Sequence, residues 1–458
     1  MLNQTLEQIG QALSYPYQCL SKQALGRVVT DSRQAGPNDL FVAIVGARSD
    51  GHHFIRQALE QGAAAVVISD AAYLPQLANA SYLLAEDGVT FIQRLGQYIR
   101  QASQAQVTAI TGSSGKTTTK DLLSAILAAN GPMVATAGNN NNELGLPLTL
   151  CRLEEATETA VVEMGMRGLG QIDFLCQLAR PNHGIITNIG QVHSELLGSI
   201  DNIAKAKAEL LAHIPPEGTA VLGVRDRQYL AEYAASCAGR VVWCGLTEGE
   251  GDAWASHIAT DAAGVSFDFN WQSDQHRVHI NLQGLHNVQN AMQALVIART
   301  LAVPWSVIDE ALEKPTLSAM RMEQSVSPQG ARIYNDAYNA NPDSMRAALA
   351  VLAEQGPRRI AVLGDMYELG QYEEQSHREI GRCCMALGIE VLLAVGRLGR
   401  LIGQGAEERA RDGQQIFYAA DSREAAGLLQ SLLTADDVVL VKGSRGMCME
   451  EIVQIIMG

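Results

Sequence analysis

Two patterns of apolar residues alternate along the chain. Short runs rich in Val, Ile, Leu and Ala recur at 40–45, 63–68, 107–110, 159–163, 184–188, 220–224 and 240–244. They resume at 332–335, 360–363, 391–395, 416–418 and 438–441. Between many of them apolar residues return three and four positions apart, as Leu122, Leu123, Ile126 and Leu127 do. The runs predict buried strands of mostly parallel sheets, and the longer period predicts helices on both faces. Runs 265–271 and 277–282 alternate in polarity and predict an antiparallel hairpin, followed by helices over 287–301 and 305–312. Residues 1–13 form a polar amphipathic helix pattern, and 54–61 reads as a further helix.

The rhythm predicts an α/β protein of three domains. Residues 1–83 form a small α/β unit, and a link over 85–105 leads into a central nucleotide-binding sheet assigned to 84–313. A βα rhythm starts again near 314 and runs to 458 as a Rossmann-like third domain. The 458 residues exceed what one core organises, and 42 glycines suit many tight strand–helix turns.

Charge narrows the partners. A net charge of −15 argues against nucleic acid or an anionic membrane surface. Anionic substrates then need positive charge concentrated in a few places, with Lys116, Arg321, Lys442 and Arg445 as candidates. The eight cysteines contain no C-x-x-C pair and read as reduced thiols. No basic leader or membrane-length apolar run is seen, so a soluble, cytoplasmic enzyme is expected. A monomer is the separate expectation for its assembly.

The chemistry concentrates in VTAITGSSGKTTTK, residues 107–120. An apolar strand runs into Gly112, Ser113, Ser114, Gly115, Lys116, Thr117 and Thr118, then into an apolar-periodic helix. Glycines let backbone N–H groups surround phosphate oxygens, lysine adds charge, and a threonine hydroxyl can ligate Mg²⁺. Only two residues separate the first glycine from Gly-Lys, where the general phosphate loop has four. Glu163 ends the apolar run 159–163, where open parallel sheets place ligand-contacting groups. Thr117 and Glu163 could share a Mg²⁺, although a carboxylate there can equally satisfy loop N–H groups. His193 follows a strand end at Asn188, and Lys205 and Lys207 lie on the next helical pattern, where lysines are ordinarily solvated. His286, Asn287 and Asn290 open another helix, as caps or as amides that read a base edge. In IYNDAYNANPDSMRAAL, Asp343 or Ser344 can cap the helix, with Pro342 at its start. Capping does not need so many amides, and a ligand-facing turn explains them better.

TGSSGKTTTK, VVEMG, the His193 loop, AKAKAEL, GLHNVQNA and MRME, in that order, resemble the Mur ligases. These are the ATP-dependent amide-forming enzymes of peptidoglycan precursor synthesis, and their phosphate loop has the short spacing noted above. The resemblance spans all three domains. DAYNANPDSMRAAL, LGDMYELG and LVKGSR further imply D-alanyl-D-alanine as amine and UDP-N-acetylmuramoyl-tripeptide as carboxylate substrate. The resemblance implies that Lys116 and the loop amides hold the ATP phosphates. Thr117 and Glu163 would hold one Mg²⁺, and His193 a second, beside a Lys207 carbamylated by CO₂. Asn290 and Asn287 would face adenine, Asp336 the ribose, and Arg321 the phosphates. Ser32, Arg33, Asn139, Asn141 and Asn142 would hold the UDP-sugar, and Tyr338, Asn339 and Asn341 the dipeptide. A sister ligase for another amino acid, a folylpolyglutamate synthetase-like enzyme and an ATP-dependent switch are the alternatives.

Overall fold

The computed structural model describes residues 4–190, 197–261, 263–313, 315 and 317–458. Its secondary structure divides among three sheets, giving a three-domain α/β architecture. The first sheet has the order Tyr17–Gln18, Tyr82–Leu84, Ala65–Ile68, Leu40–Val42, Val28–Val29, with only the first pair antiparallel. The interval 85–105, expected only as a link, contains the helix Gly88–Ala102. Asp87 caps it through Val89 N and Thr90 N, and Phe91, Ile92, Leu95 and Ile99 bury one face.

The central sheet has nine strands among the described residues. From one edge the parallel part runs Met133–Ala135, Thr159–Glu163, Gln106–Thr111, His183–Ile186, Thr219–Gly223, Arg240–Gly245 and Ala253–Thr260. Val265–Trp271 and Asp274–Ile280 then continue it antiparallel, the hairpin that the alternation predicts. Sequence reading misses Met133–Ala135 and Ala253–Thr260. The first is three residues long, and the second carries a register shift between Ser256 and Ala259. Gln106–Thr111 lies between Thr159–Glu163 and His183–Ile186, where the strand order reverses, and the loop after it opens at that crevice. The helix Leu285–Thr300 packs against the helix that follows this loop, and its residues Ala291–Ala298 are all buried.

The third sheet runs Glu323–Val326, Arg332–Asn335, Asp437–Lys442, Arg358–Leu363, Val391–Val395, Gln415–Ala419. Its first pair is antiparallel and the rest parallel, with Ile333, Val362, Leu393 and Val439 fully buried. Among the described residues no helix is long and apolar enough to cross a membrane.

Candidate active site

The loop between Gln106–Thr111 and the helix Lys116–Asn130 takes a shape that only glycine permits at two points. Gly112 has φ 150°, and a Cβ there would stand 1.8 Å from Thr187 Oγ1. Gly115 has φ 75°, and its Cβ would stand 2.4 Å from Asn290 Oδ1. Both the backbone angle and the close approach exclude a side chain. The neighbouring strand's end then pins the loop. Ser113 Oγ donates to Gly190 O at 3.0 Å and accepts from Gly190 N at 2.8 Å. Ser114 N donates to Asn188 Oδ1 at 3.0 Å, and Asn188 Nδ2 returns a bond to Ser114 Oγ at 2.8 Å.

Around this loop charges gather unequally. Lys116 Nζ donates to Gly112 O at 2.8 Å, folded over the loop it would share with a phosphate. Burial lowers the Lys116 pKa, Glu163 opposes that shift, and Arg321 adds to it. Lys207, in the last turn of the helix Ile200–Ala208, is only 2% exposed and has no hydrogen bond or ion pair among the described residues. Burial holds its pKa well below the usual lysine value, and Lys116 pushes it the same way. Arg321 stacks 4.2 Å over the Tyr338 ring, and its Nε is buried without a hydrogen-bond partner. Against these cations stands the buried Glu163, which accepts from Thr117 Oγ1 and Asn141 Nδ2, each at 2.8 Å. Unpaired buried cations are costly, so the arrangement suits a polyanion. The buried hydroxyl–carboxylate pair Thr117–Glu163 is a hard oxygen donor set and fits magnesium.

All of these line one cleft of about 1590 Å³ between the central and third domains. Lys207 lies on the same helical face as Ile203, Ala204 and Leu211, all buried, which overrides the ordinary solvated reading of a helical lysine. Asn290 Nδ2 donates to Asn287 Oδ1 at 3.2 Å, and Asn287 Nδ2 to Gln283 O at 2.8 Å, so both amides are tied within the helix start. Thr118 and Asn139 line the cleft, and Asn142 Oδ1 accepts from Gly145 N at 2.9 Å. Asp336 Oδ2 pairs with Lys442 Nζ at 2.5 Å, and that amine also donates to Asn339 O at 3.0 Å. The cap of Pro342–Ala353 is neither Asp343 nor Ser344. Asn341 fills it, accepting from Ser344 N at 2.9 Å while Ser344 Oγ accepts from Asn341 N. Ser32 and Arg33 lie away from the cleft: Ser32 Oγ donates to Gln57 Oε1, and Arg33 is paired with Asp31. His193 lies outside the described residues.

The chain matches three family descriptions: Mur ligase family, catalytic domain, over 26–144; Mur ligase middle domain over 110–298; and Mur ligase, glutamate ligase domain, over 320–445. The UDP-N-acetylmuramoyl-tripeptide–D-alanyl-D-alanine ligase of Bacillus subtilis is 35% identical over 429 residues, covering 93% of this chain and 92% of that protein. This chain belongs to the Mur ligase family. A crystal structure of MurF from Acinetobacter baumannii superposes with a TM-score of 0.87 at 32% identity, covering 99% of this chain and 98% of that one. MurF from Thermotoga maritima, solved in complex with ADP, gives 0.79 at 26% identity, covering 94% and 97%.

Several cleft residues of this Mur ligase escape sequence reasoning. Thr187 and Asn188 were visible only as a strand end, yet they shape the phosphate loop. Asp226 lines the cleft, and burial pushes its carboxyl up to about 7. His286, which the sequence already singles out at a helix start, also lines the cleft; burial holds its pKa down to about 4, so it is a neutral imidazole at pH 7. Asp121, one residue past the buried Lys120, accepts from Ser318 N at 2.7 Å and ties the loop's helix to the start of the third domain.

Proposed function

We propose that this Mur ligase joins D-alanyl-D-alanine to UDP-N-acetylmuramoyl-tripeptide with ATP, releasing ADP and phosphate, in cytoplasmic synthesis of peptidoglycan precursor. The carrying observation is the convergence of Lys116, Lys207 and Arg321 on a glycine-shaped loop, facing the Thr117–Glu163 oxygen pair. The name of the Bacillus subtilis relative, matched over 93% of this chain, supplies the substrates.

In this reading the tripeptide carboxylate attacks the γ-phosphate, forming an acyl phosphate and ADP. The dipeptide amine then attacks the acyl carbon through a tetrahedral intermediate, and the phosphate–acyl bond breaks with phosphate leaving. The protein's work is to bring anions together and offset their charge. Lys116 leaves Gly112 O for the β- and γ-phosphates, beside the amides of Gly112, Ser113, Ser114, Gly115 and Thr118. Arg321 reaches the transferring phosphoryl group from the third domain. Asn290 and Asn287 face adenine, and Asp336 the ribose. Asn139, Asn141 and Asn142, with Ser32 and Arg33 farther off, hold the UDP-sugar. Tyr338, Asn339 and Asn341 border the dipeptide.

Magnesium would be held by Thr117 and Glu163, with His193 and Lys207 beside a second ion, and would supply charge neutralisation at the phosphates. Lys207 suits carbamylation because its amine, neutral when its pKa is depressed, can add CO₂ and release a proton. The product is an anionic oxygen ligand. The chain is read as acting as a monomer. ADP release should require both the UDP-tripeptide and D-alanyl-D-alanine. Release with folate and glutamate, or with no amine at all, would overturn the assignment.

A further inference from the structure

Tyr338 does something other than border a substrate. Its ring lies flat enough under Arg321 for the guanidinium carbon to sit 4.2 Å from the ring centroid. The backbones bearing the two residues are joined as well. Tyr338 N donates to Met320 O at 3.2 Å, and Met322 N donates to Asp336 Oδ1 at 3.2 Å. These bonds bracket Arg321 on both sides. Lys442, only 3% exposed, clamps the same turn through Asp336 Oδ2 and Asn339 O. Asn341 closes the turn's far end as a helix cap. Arg321 has no carboxylate partner among the described residues, and its Nε has no acceptor. The aromatic face is therefore the contact that orients the guanidinium. Tyr338 stays a neutral phenol, since burial raises its pKa.

We infer that Tyr338 is a positioning residue for Arg321, which makes the Asp336–Asn341 turn and the phosphate-facing cation one mechanical unit. This rests on the reading of Arg321 as a phosphate ligand in the ligase reaction. A dipeptide that settles against the turn presses on the shelf that carries Arg321. Occupancy of the amine site is thereby transmitted to the charge that stabilises the acyl phosphate. A desolvated guanidinium held over a ring gains enough orientation to matter for rate.

The test compares Tyr338→Phe, Tyr338→Leu and the double variants Tyr338→Leu/Arg321→Ala and Tyr338→Phe/Arg321→Ala. Steady-state kinetics use ATP, the UDP-tripeptide and D-alanyl-D-alanine. Phe keeps the ring over which Arg321 lies, so whatever the lost hydroxyl costs at the dipeptide site, the Phe variant's kcat should exceed the Leu variant's. Relative to Phe, Leu should lower kcat by roughly tenfold, the size of a desolvated cation–π contact, with little further change in the dipeptide KM. Once Arg321 is Ala, Leu and Phe at 338 should give the same kcat. Equal kcat for the Phe and Leu single variants would overturn the inference. So would a Leu effect that persists undiminished without Arg321, or one confined to the dipeptide KM. A wild-type enzyme without dipeptide-dependent turnover would instead overturn the proposed function, so the two failures are told apart.

Discussion

Lys207→Met should stabilise the free protein while abolishing turnover, and the stabilisation should fade as pH rises. Lys207 is 2% exposed and lacks a partner among the described residues, so its folded form is favoured neutral. Burial, then Lys116, lowers its pKa well below the ordinary 10.5. Between the folded value and the ordinary one, the unfolded chain binds a proton that the folded chain does not. Folding stability therefore rises with pH across that window, by about 1.4 kcal/mol per unit, and is lost as pH falls. Met has a similar unbranched stem and no proton to lose, so its variant lacks this slope. The variant's advantage should therefore shrink steadily as pH rises toward 10.5. Urea unfolding followed by tryptophan fluorescence is the assay, in buffer free of CO₂, metal and nucleotide. The reporters Trp243, Trp254, Trp271 and Trp305 all lie in the central domain that holds Lys207. A stability difference that ignores pH would refute the argument, because Lys207 would then be charged in the fold. The same pair of proteins tests carbamylation: ¹³CO₂ should give wild type a carbamate carbon signal that the Met variant lacks, and matching spectra would remove that assignment.

Two further outcomes follow from geometry elsewhere in the central domain. Gly112→Ala forces a residue into φ 150° with its Cβ 1.8 Å from Thr187 Oγ1, at a cost of about 2–6 kcal/mol. Calorimetric ATP affinity should fall at least tenfold, and wild-type affinity would show that the loop adapts. Arg100 is buried, and its guanidinium donates to Ala179 O, Arg180 O, Ser103 O and Asn182 Oδ1, closing the C-terminal ends of two helices. Arg100→Gln should cost about 2–4 kcal/mol in unfolding while leaving kcat unchanged at low temperature, and an unshifted Tm would deny that role.

What was legible in the sequence was whatever a local period or a fixed spacing encodes. Strands such as Thr159–Glu163, Val265–Trp271 and Val391–Val395 fall where their apolar patterns place them, because burial on two faces or on one writes itself into consecutive residues. Glu323–Val326 does not, since its residues are mostly exposed and carry no alternation. The helix Gly88–Ala102 shows that a real period can be passed over: Phe91, Ile92, Leu95 and Ile99 carry it plainly. Lys207 is a similar case, its burial being implied by the phase of Ile203, Ala204 and Leu211. The cap at Asn341 is ambiguous in sequence because several residues in NPDS can cap, and only the backbone angle selects among them. Braces such as Asn188 on Ser114 and the Tyr338–Arg321 stack join residues far apart in sequence, and no single-chain pattern announces them.

The distribution of charge then explains why a chain of net charge −15 can hold a triphosphate beside a carboxylate. Of the four cations that composition singled out, Lys442 is spent on Asp336 and Arg445 on Glu450. Their work is to hold the third domain's turns in place. Lys116 and Arg321 remain, and Lys207 joins them from a helix that its sequence presents as ordinary surface. Two of these three belong to the central domain, and Arg321 is fastened by Met320 and Met322 to the third. Neither domain alone gathers all three cations, so on the proposed reading a polyanion at the loop would gain its last cation across the cleft. In the proposed reading the seam between domains is where the charge of the bound triphosphate is offset.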